Sequence, residues 1–266
     1  MPENKQPVMD ARSRLNISFL LILLFFCQLC FAQVTTETAS LTEQEQLWVK
    51  NNPTILVGGS PDWTPFNFVD EQGQYAGIAN EYLQLIATKT GLHFSVSIDT
   101  WHNSLHKIQA KQLDVLGAVY YTDERSQFLT YSKPYFEVLD YFFIRNDLNV
   151  NSFEELRGLR LAIPKGYAHI ELLEKHFPAI EIITVNTFGE AIDTVLEGKA
   201  ELLYDSYGSL IYSLEKQGIN TIVPFKSTRY IGTNPIHIVT RKDKPELAAI
   251  IQKGLSAITA AEKRLI

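Results

Sequence analysis

The stretch that most restricts the fold of this chain runs from Asp114 to Tyr135, where a short apolar run turns directly into a capped, charged helix start. Val115–Tyr121 is rich in β-branched and aromatic residues and contains one glycine. That is the composition of a strand buried on both faces of a parallel sheet. Thr122 supplies a cap, and Asp123 and Glu124 put acids into the first turn of a short helix. Arg125 therefore stands just past the carboxyl end of a strand, beside free backbone N–H groups. In open α/β sheets, ligands bind at that edge. A guanidinium among backbone donors suits a carboxylate, because two parallel charge-assisted hydrogen bonds fix its plane as well as its charge. Position alone also allows Arg125 to pair with Asp123 or Glu124 at the surface, where such a pair adds little.

Asp114, Gly117, Thr122-Asp123-Glu124-Arg125 and Tyr131-Ser132-Lys133-Pro134-Tyr135 together resemble the signature of the bacterial extracytoplasmic solute-binding proteins, family 3. These are the amino-acid-type periplasmic binding proteins and the sensor domains built from them. The likeness extends over most of the chain after residue 40. It implies an α/β, two-lobed periplasmic-binding-protein fold of type II, each lobe a mostly parallel sheet flanked by helices, joined by a two-strand hinge. In that family the arginine after the strand holds the α-carboxylate of the ligand, the role implied for Arg125.

Residues 1–32 read as a secretory signal peptide. Arg12 and Arg14 precede the apolar run Ile17–Phe26, and Cys30 and Ala32 are small residues at −3 and −1 before Gln33. The run is short for a membrane span. Cleavage after Ala32 would leave 266 − 32 = 234 residues in the periplasm. Cys27 and Cys30 both fall inside the signal, so a mature chain has no disulfide. The net charge of −6 comes without a basic cluster, which argues against nucleic acid and anionic lipid as partners. Residues 33–40 form a Thr-rich polar linker. The remainder suits two lobes, 41–138 with 232–266 and 139–231, with crossings near Glu137–Tyr141 and Ser227–Gly232.

The first predicted strand, Thr54–Gly58, ends in Gly59-Ser60-Pro61-Asp62-Trp63-Thr64-Pro65-Phe66, which resembles the first ligand loop of the family. Trp63 is the expected aromatic wall there, while Phe66 and Phe68 read as core. Glu81, near the start of the next helix, is expected to cap it or to hold the first loop. Trp101 opens a further helix where the family stacks an aromatic over the ligand, and is the second wall. His102 and His106 are spaced i, i+4, but no third ligand or HExxH pattern accompanies them, so solvated histidines and no metal site are expected. Ser152 and Glu155 have the spacing of a capping box. Arg160–Ile163 then delivers Pro164–Ala168 to a helix start. In the family, N–H groups at this place reach the carboxylate from the other side, which assigns Gly166 and Ala168. A helix N-terminus suits an anion in any case. Ala200–Ser206 repeats the arrangement of a hydrophobic strand with an acid at its end. Asp205 is the counterpart of the residue that accepts the ligand's α-ammonium, and a plain N-cap for the following helix is equally open to it.

Two departures concern the carboxylate pocket. Ala118 stands near a usual glycine with its N–H available, and Tyr120 replaces a usual threonine or serine hydroxyl. Tyrosine is too large to copy that hydroxyl, so the pocket is expected to be smaller or shaped for another anion. Arg125 and Asp205 on opposite lobes would make a zwitterion trap that closes about the hinge. No GxSxG, P-loop, CxxC or HExxH motif is present, so neither catalysis nor a cofactor is expected. The alternative on the same fold is a cyclohexadienyl-dehydratase-like enzyme using Asp205 or Glu81. Leu41–Pro53 and Ile258–Ile266 resemble the ends of ligand-sensing domains in membrane-bound hybrid histidine kinases. The expected partners are a small-molecule ligand of the amino-acid type and either an ABC permease or a membrane-bound signalling module.

Overall fold

A computed structural model describes residues 38–227 and 234–266 of the chain. The expected signal peptide, and all but Ser227 of the second crossing, lie outside these residues. In chain order the strands are β1 (Ile55–Gly59), β2 (Asp62–Trp63), β3 (Asn67–Val69), β4 (Tyr75–Ala76), β5 (Phe94–Ile98), β6 (Val115–Tyr120), β7 (Leu129–Tyr131), β8 (Phe136–Val138), β9 (Asp140–Arg145), β10 (Arg160–Pro164), β11 (Glu181–Val185), β12 (Leu202–Ser206), β13 (Ile222–Ser227) and β14 (Asn234–Arg241). The helices are α1 (Glu43–Asn51), α2 (Ile78–Thr90), α3 (Trp101–Gln109), α4 (Asp123–Ser126), α5 (His169–His176), α6 (Phe188–Leu196), α7 (Tyr207–Lys216), α8 (Pro245–Ser256) and α9 (Ala260–Lys263).

Eleven of these strands form two large sheets, one per lobe, and β2, β3 and β4 form a small antiparallel sheet. The first has the order β5-β1-β6-β14-β7, with β8 also paired to β14. Its β5, β1 and β6 are parallel, and β14 runs against β6, β7 and β8. The second has the order β11-β10-β12-β9-β13, again with three parallel strands, β11, β10 and β12, followed by antiparallel β9 and β13. The parallel pairs require helical crossovers, which is why strand and helix alternate in the sequence. The antiparallel strands are the ones next to the points where the chain changes lobes. β8 belongs to the first sheet and β9 to the second, so the first crossing is made at Leu139.

Both faces of each sheet are covered, and the alternation of side chains sorts the strand residues between them. Phe142, Ile144, Leu161, Ile163, Leu202 and Tyr204 share one cluster, whereas Phe143, Ala162 and Leu203 belong to the other face with Phe188, Ile192 and Leu210. Two-sided burial explains the unbroken apolar runs of the sequence. In the first lobe, Ile55, Val57 and Val115 pack with Leu83, Ile86, Leu247 and Ile251, and Leu116, Val119 and Val239 pack with Ile108.

Local chemistry sets the element ends. Thr42 and Glu45 form a capping box at the start of α1. The box expected at Ser152 does not form. That segment is one turn of 3-10 helix, Phe153–Leu156, and the Glu155 carboxylate accepts from the Asn151 N–H (2.7 Å). The start of α2 fixes the first cleft loop. The Ile78 and Ala79 N–H groups donate to the Pro65 and Phe66 carbonyls (3.1 and 2.9 Å). Gly77 between them has φ +104°, and a Cβ there would stand 2.7 Å from the Phe66 carbonyl carbon and oxygen. Only glycine tolerates that combination. Glu81 takes no part in this: it is exposed on α2, whose N-cap residue is Gly77.

Candidate functional site

The cleft is walled by loops at the carboxyl ends of parallel strands from both lobes, as expected for an open α/β sheet. β1 leads into the loop containing Trp63, β6 ends at Tyr120 before α4 and Arg125, β10 ends before Gly166–Ala168, and β12 carries Asp205 near its end.

Arg125 is buried (4% exposed) and does not pair with Asp123 or Glu124. Its Nη1 donates to the Tyr120 carbonyl (3.0 Å) and its Nη2 to the Gly166 carbonyl of the opposite lobe (2.7 Å). The guanidinium carbon lies 5.1 Å from the centre of the Trp101 ring, in cation–π range. The Trp101 Nε1 donates to the same Gly166 carbonyl (2.8 Å). Gly166 adopts φ +74°, and its carbonyl is the group that meets the guanidinium; the expectation from sequence concerned its N–H, reaching a ligand carboxylate. Lys165 beside it is exposed.

Asp205 is likewise buried (2% exposed). Its Oδ1 accepts from the Trp63 Nε1 (2.9 Å) and from the Ser206 N–H (2.6 Å). Its Oδ2 is buried with no hydrogen-bond partner among the described residues. Burial pushes the Asp205 carboxyl up to about 7, against the opposing pull of His169 and the Trp63 hydrogen bond. Asp205 is not the cap of α7. Ser206 is, its hydroxyl accepting from the Ser209 N–H (3.1 Å).

Between these two charges lies a cavity of about 30 Å³. Trp63, Trp101, Ala118, Tyr120, Arg125 and Ala168 line it, together with Ser60, Asn67 and Tyr167. Gly166 and Asp205 are not among its lining residues; Gly166 lines a neighbouring pocket of about 320 Å³ that Arg125 also borders. Ser60, Asn67 and Tyr167 were missed in the sequence. Tyr167 is an aromatic in a strand-end loop, the criterion that singled out Trp63, and Ser60 lies in the same first loop. Asn67 carried no signal; it matters because its Oδ1 accepts from the Ser60 N–H (2.8 Å) and shapes the loop.

A second polar cluster, also missed, joins the cavity to the crossing. The Tyr120 hydroxyl donates to Asp140 Oδ1 (3.0 Å), and Asp140 Oδ2 meets His169 Nε2 (2.9 Å) and Asn234 Nδ2 (2.5 Å). Burial works against charge on His169, but Asp140 outweighs it through both charge and hydrogen bond, so its pKa is raised. Phe66 packs in the core as expected, stacked on Phe136 (5.1 Å), and Phe68 is half-buried. His102 and His106 meet edge to face (4.4 Å), and among the described residues no group of three His, Cys, Asp or Glu could hold a metal ion. Of the two carboxylates available for a dehydratase-type reaction, Glu81 is exposed and Asp205 is sealed behind the Trp63 indole.

Residues 55–264 match the model of the bacterial extracellular solute-binding proteins, family 3. The virulence sensor protein BvgS of Bordetella pertussis is 26% identical over 221 residues, which is 82% of this chain and 18% of BvgS. The amino-acid-binding protein AabA of Dichelobacter nodosus is 22% identical over 209 residues, 76% of this chain and 77% of AabA. The crystal structure of the periplasmic VFT2 domain of Bordetella pertussis BvgS superposes with a TM-score of 0.75 at 25% identity, covering 84% of this chain and 96% of that domain. The chain thus has the two-lobed Venus flytrap fold, and spans about a fifth of the length of the curated sensor relatives it matches.

Proposed function

Since this chain belongs to the bacterial extracellular solute-binding proteins, family 3, we propose that its interlobe cleft binds a small polar solute, an amino acid or a related carboxylate, with Arg125 as the carboxylate anchor. The observation that carries the reading is a buried guanidinium at the end of a parallel strand, oriented by the Tyr120 carbonyl and the Trp101 ring and facing a small aromatic-walled cavity. Burying a charge is unfavourable unless something pairs with it, and a planar anion is the natural complement of the guanidinium fork. Asp205 on the other lobe is the ammonium partner, Trp63 and Trp101 are the walls, and Ala118, Tyr120, Gly166 and Ala168 complete the pocket.

The lobes are 41–138 with 232–266 and 139–231, hinged at Leu139 and near residues 227–232. The protein reaches the periplasm through cleavage after Ala32. There it acts without catalysis, as the receptor of an ABC permease or of a membrane-bound signalling module. The similarity to BvgS, a sensor, and to AabA, an amino-acid-binding protein, supports this pair of uses. Arg125→Ala tests the reading. Losing a charge-assisted bidentate contact to the ligand costs about 3 kcal/mol or more, roughly a hundredfold or more in affinity. Calorimetry against an amino-acid panel should show that loss, with the fold checked by circular dichroism. Equal affinity in parent and variant would overturn the assignment.

A further inference from the structure

The two charges assigned to the ends of the ligand already hold partners from the opposite lobe, and each partner has the polarity of the ligand group it stands in for. The Gly166 carbonyl accepts from Arg125 Nη2 (2.7 Å), where a ligand carboxylate would accept. The Trp63 indole N–H donates to Asp205 Oδ1 (2.9 Å), where a ligand ammonium would donate. Trp101 adds a second donor to the Gly166 carbonyl (2.8 Å). A further interlobe bond lies outside the cavity: Asp62 Oδ2 accepts from the Gly189 N–H (2.7 Å) in the first turn of α6, where the helix dipole favours an anion. Trp63 and Phe66 of the first lobe also share an apolar cluster with Phe188, Ile192 and Leu210 of the second. The exposed Lys216–Glu71 pair (3.7 Å) adds little to this. Beyond Arg125 the lobes leave a pocket of about 320 Å³, lined by His102, Glu124, Gly166 and Glu171 among others, whereas the aromatic-walled cavity flanked by the two paired groups is about 30 Å³. One water needs roughly 10–15 Å³, so the aromatic-walled cavity suits a water or two and excludes an amino acid.

We propose that the cleft is latched shut by an internal mimic of a zwitterion, the Gly166 carbonyl on Arg125 and the Trp63 N–H on Asp205, so that ligand binding competes with closure. An amino-acid-sized solute then works as a wedge that holds the lobes apart. The proposal rests on the reading of Arg125 and Asp205 as binding groups. A ligand shifts an equilibrium only through its differential contacts with the two states. A ligand that must displace the latch gains its contacts in the wider state, so its binding opens the cleft.

Asp62 separates the wedge from the clamp, because it lies outside the cavity. In a clamp, removing a closed-state contact weakens ligand binding, whereas in a wedge it strengthens it. Asp62→Ala removes one charge-assisted bond, so calorimetry with the twenty L-amino acids and L-cystine should show about tenfold tighter binding of whichever compound binds the parent. Solution scattering should show the parent expanding at saturation with that compound. Weaker binding by Asp62→Ala, or compaction of the parent, overturns the wedge while leaving the solute-binding reading intact. Scattering from protein without added ligand supplies the second arm, with the fold checked by circular dichroism. The parent should be compact and the double variant Asp62→Ala/Trp63→Phe larger. Identical curves for the two overturn the latch. An opened double variant with no binding by any compound of the panel would support the latch and count against the solute-binding reading alone.

Discussion

Asp205→Asn is the substitution that most directly exposes how this cleft is held. The Asp205 carboxyl titrates at about 7, chiefly because it is buried, and one of its oxygens has no hydrogen-bond partner among the described residues. An unfolded aspartate titrates near 3.9. Between these values the folded chain keeps a proton that the unfolded chain has released, so stability falls as pH rises, by about 1.4 kcal/mol per unit, and levels off above about 7. From pH 5 to pH 8 the loss due to Asp205 is about 3 kcal/mol. His169 acts in the same direction. Its raised folded pKa gives stability that is present below its unfolded value and lost as pH rises through the folded one. Asparagine keeps an oxygen to accept from Trp63 Nε1 and the Ser206 N–H, and it does not titrate, so subtracting variant from parent isolates Asp205. Urea unfolding at pH 5 and pH 8 should show a decline in the parent that exceeds the variant's by about 3 kcal/mol. Separating the lobes also hydrates the carboxylate, so solution scattering at both pH values should accompany the unfolding curves. If neither the unfolding nor the scattering response to pH differs between the two proteins, Asp205 is not the strained buried acid argued here.

Two further substitutions test the supports of the site. Gly77→Ala places a Cβ 2.7 Å from the Phe66 carbonyl group at φ +104°, and should lower stability by about 3 kcal/mol in urea unfolding; a change within about 0.5 kcal/mol would mean that the Trp63 loop is not seated on α2. Glu262→Ala removes an ion partner (2.8 Å) of the buried Lys89, and should cost about 3 kcal/mol at neutral pH. Lys89 and the Thr259 N–H hold the Glu262 carboxyl down at about 2, so its stabilisation is present above its usual range and lost as pH falls toward 2. The gap between parent and variant should therefore close on acidification, and a gap that persists at pH 2 would refute the ion-pair account.

Much of the scaffold could be read without coordinates because it follows from local rules. Two-sided burial makes a parallel strand an apolar run, and the runs at Ile55, Val115, Arg160 and Leu202 begin strands within about one or two residues of the reading. Gly91 ends α2 in the left-handed conformation, and Thr42 caps α1, because each depends only on residues a turn away. The Ser152 box failed where this rule meets its limit: a single 3-10 turn leaves the acid free to choose another N–H. Glu81 failed for a different reason, since the loop it was expected to hold is fastened by backbone groups about a glycine.

The sequence by itself thus determined which segments become strands and helices, and which loops reach the carboxyl edge of each sheet. It also placed an arginine after one strand and an aspartate near the end of another. Only the tertiary structure decided what those two groups touch. The Gly166 peptide turns its oxygen to an arginine 41 residues away, and Trp63 reaches an aspartate 142 residues away. Tyr120, read as a misfit in a carboxylate pocket, bonds to Asp140, which sits where the chain crosses between lobes. Periodicity reports the environment of a residue averaged over its neighbours in the chain. A hydrogen bond across a cleft depends instead on the placement of two sheets relative to each other, and no local pattern encodes that.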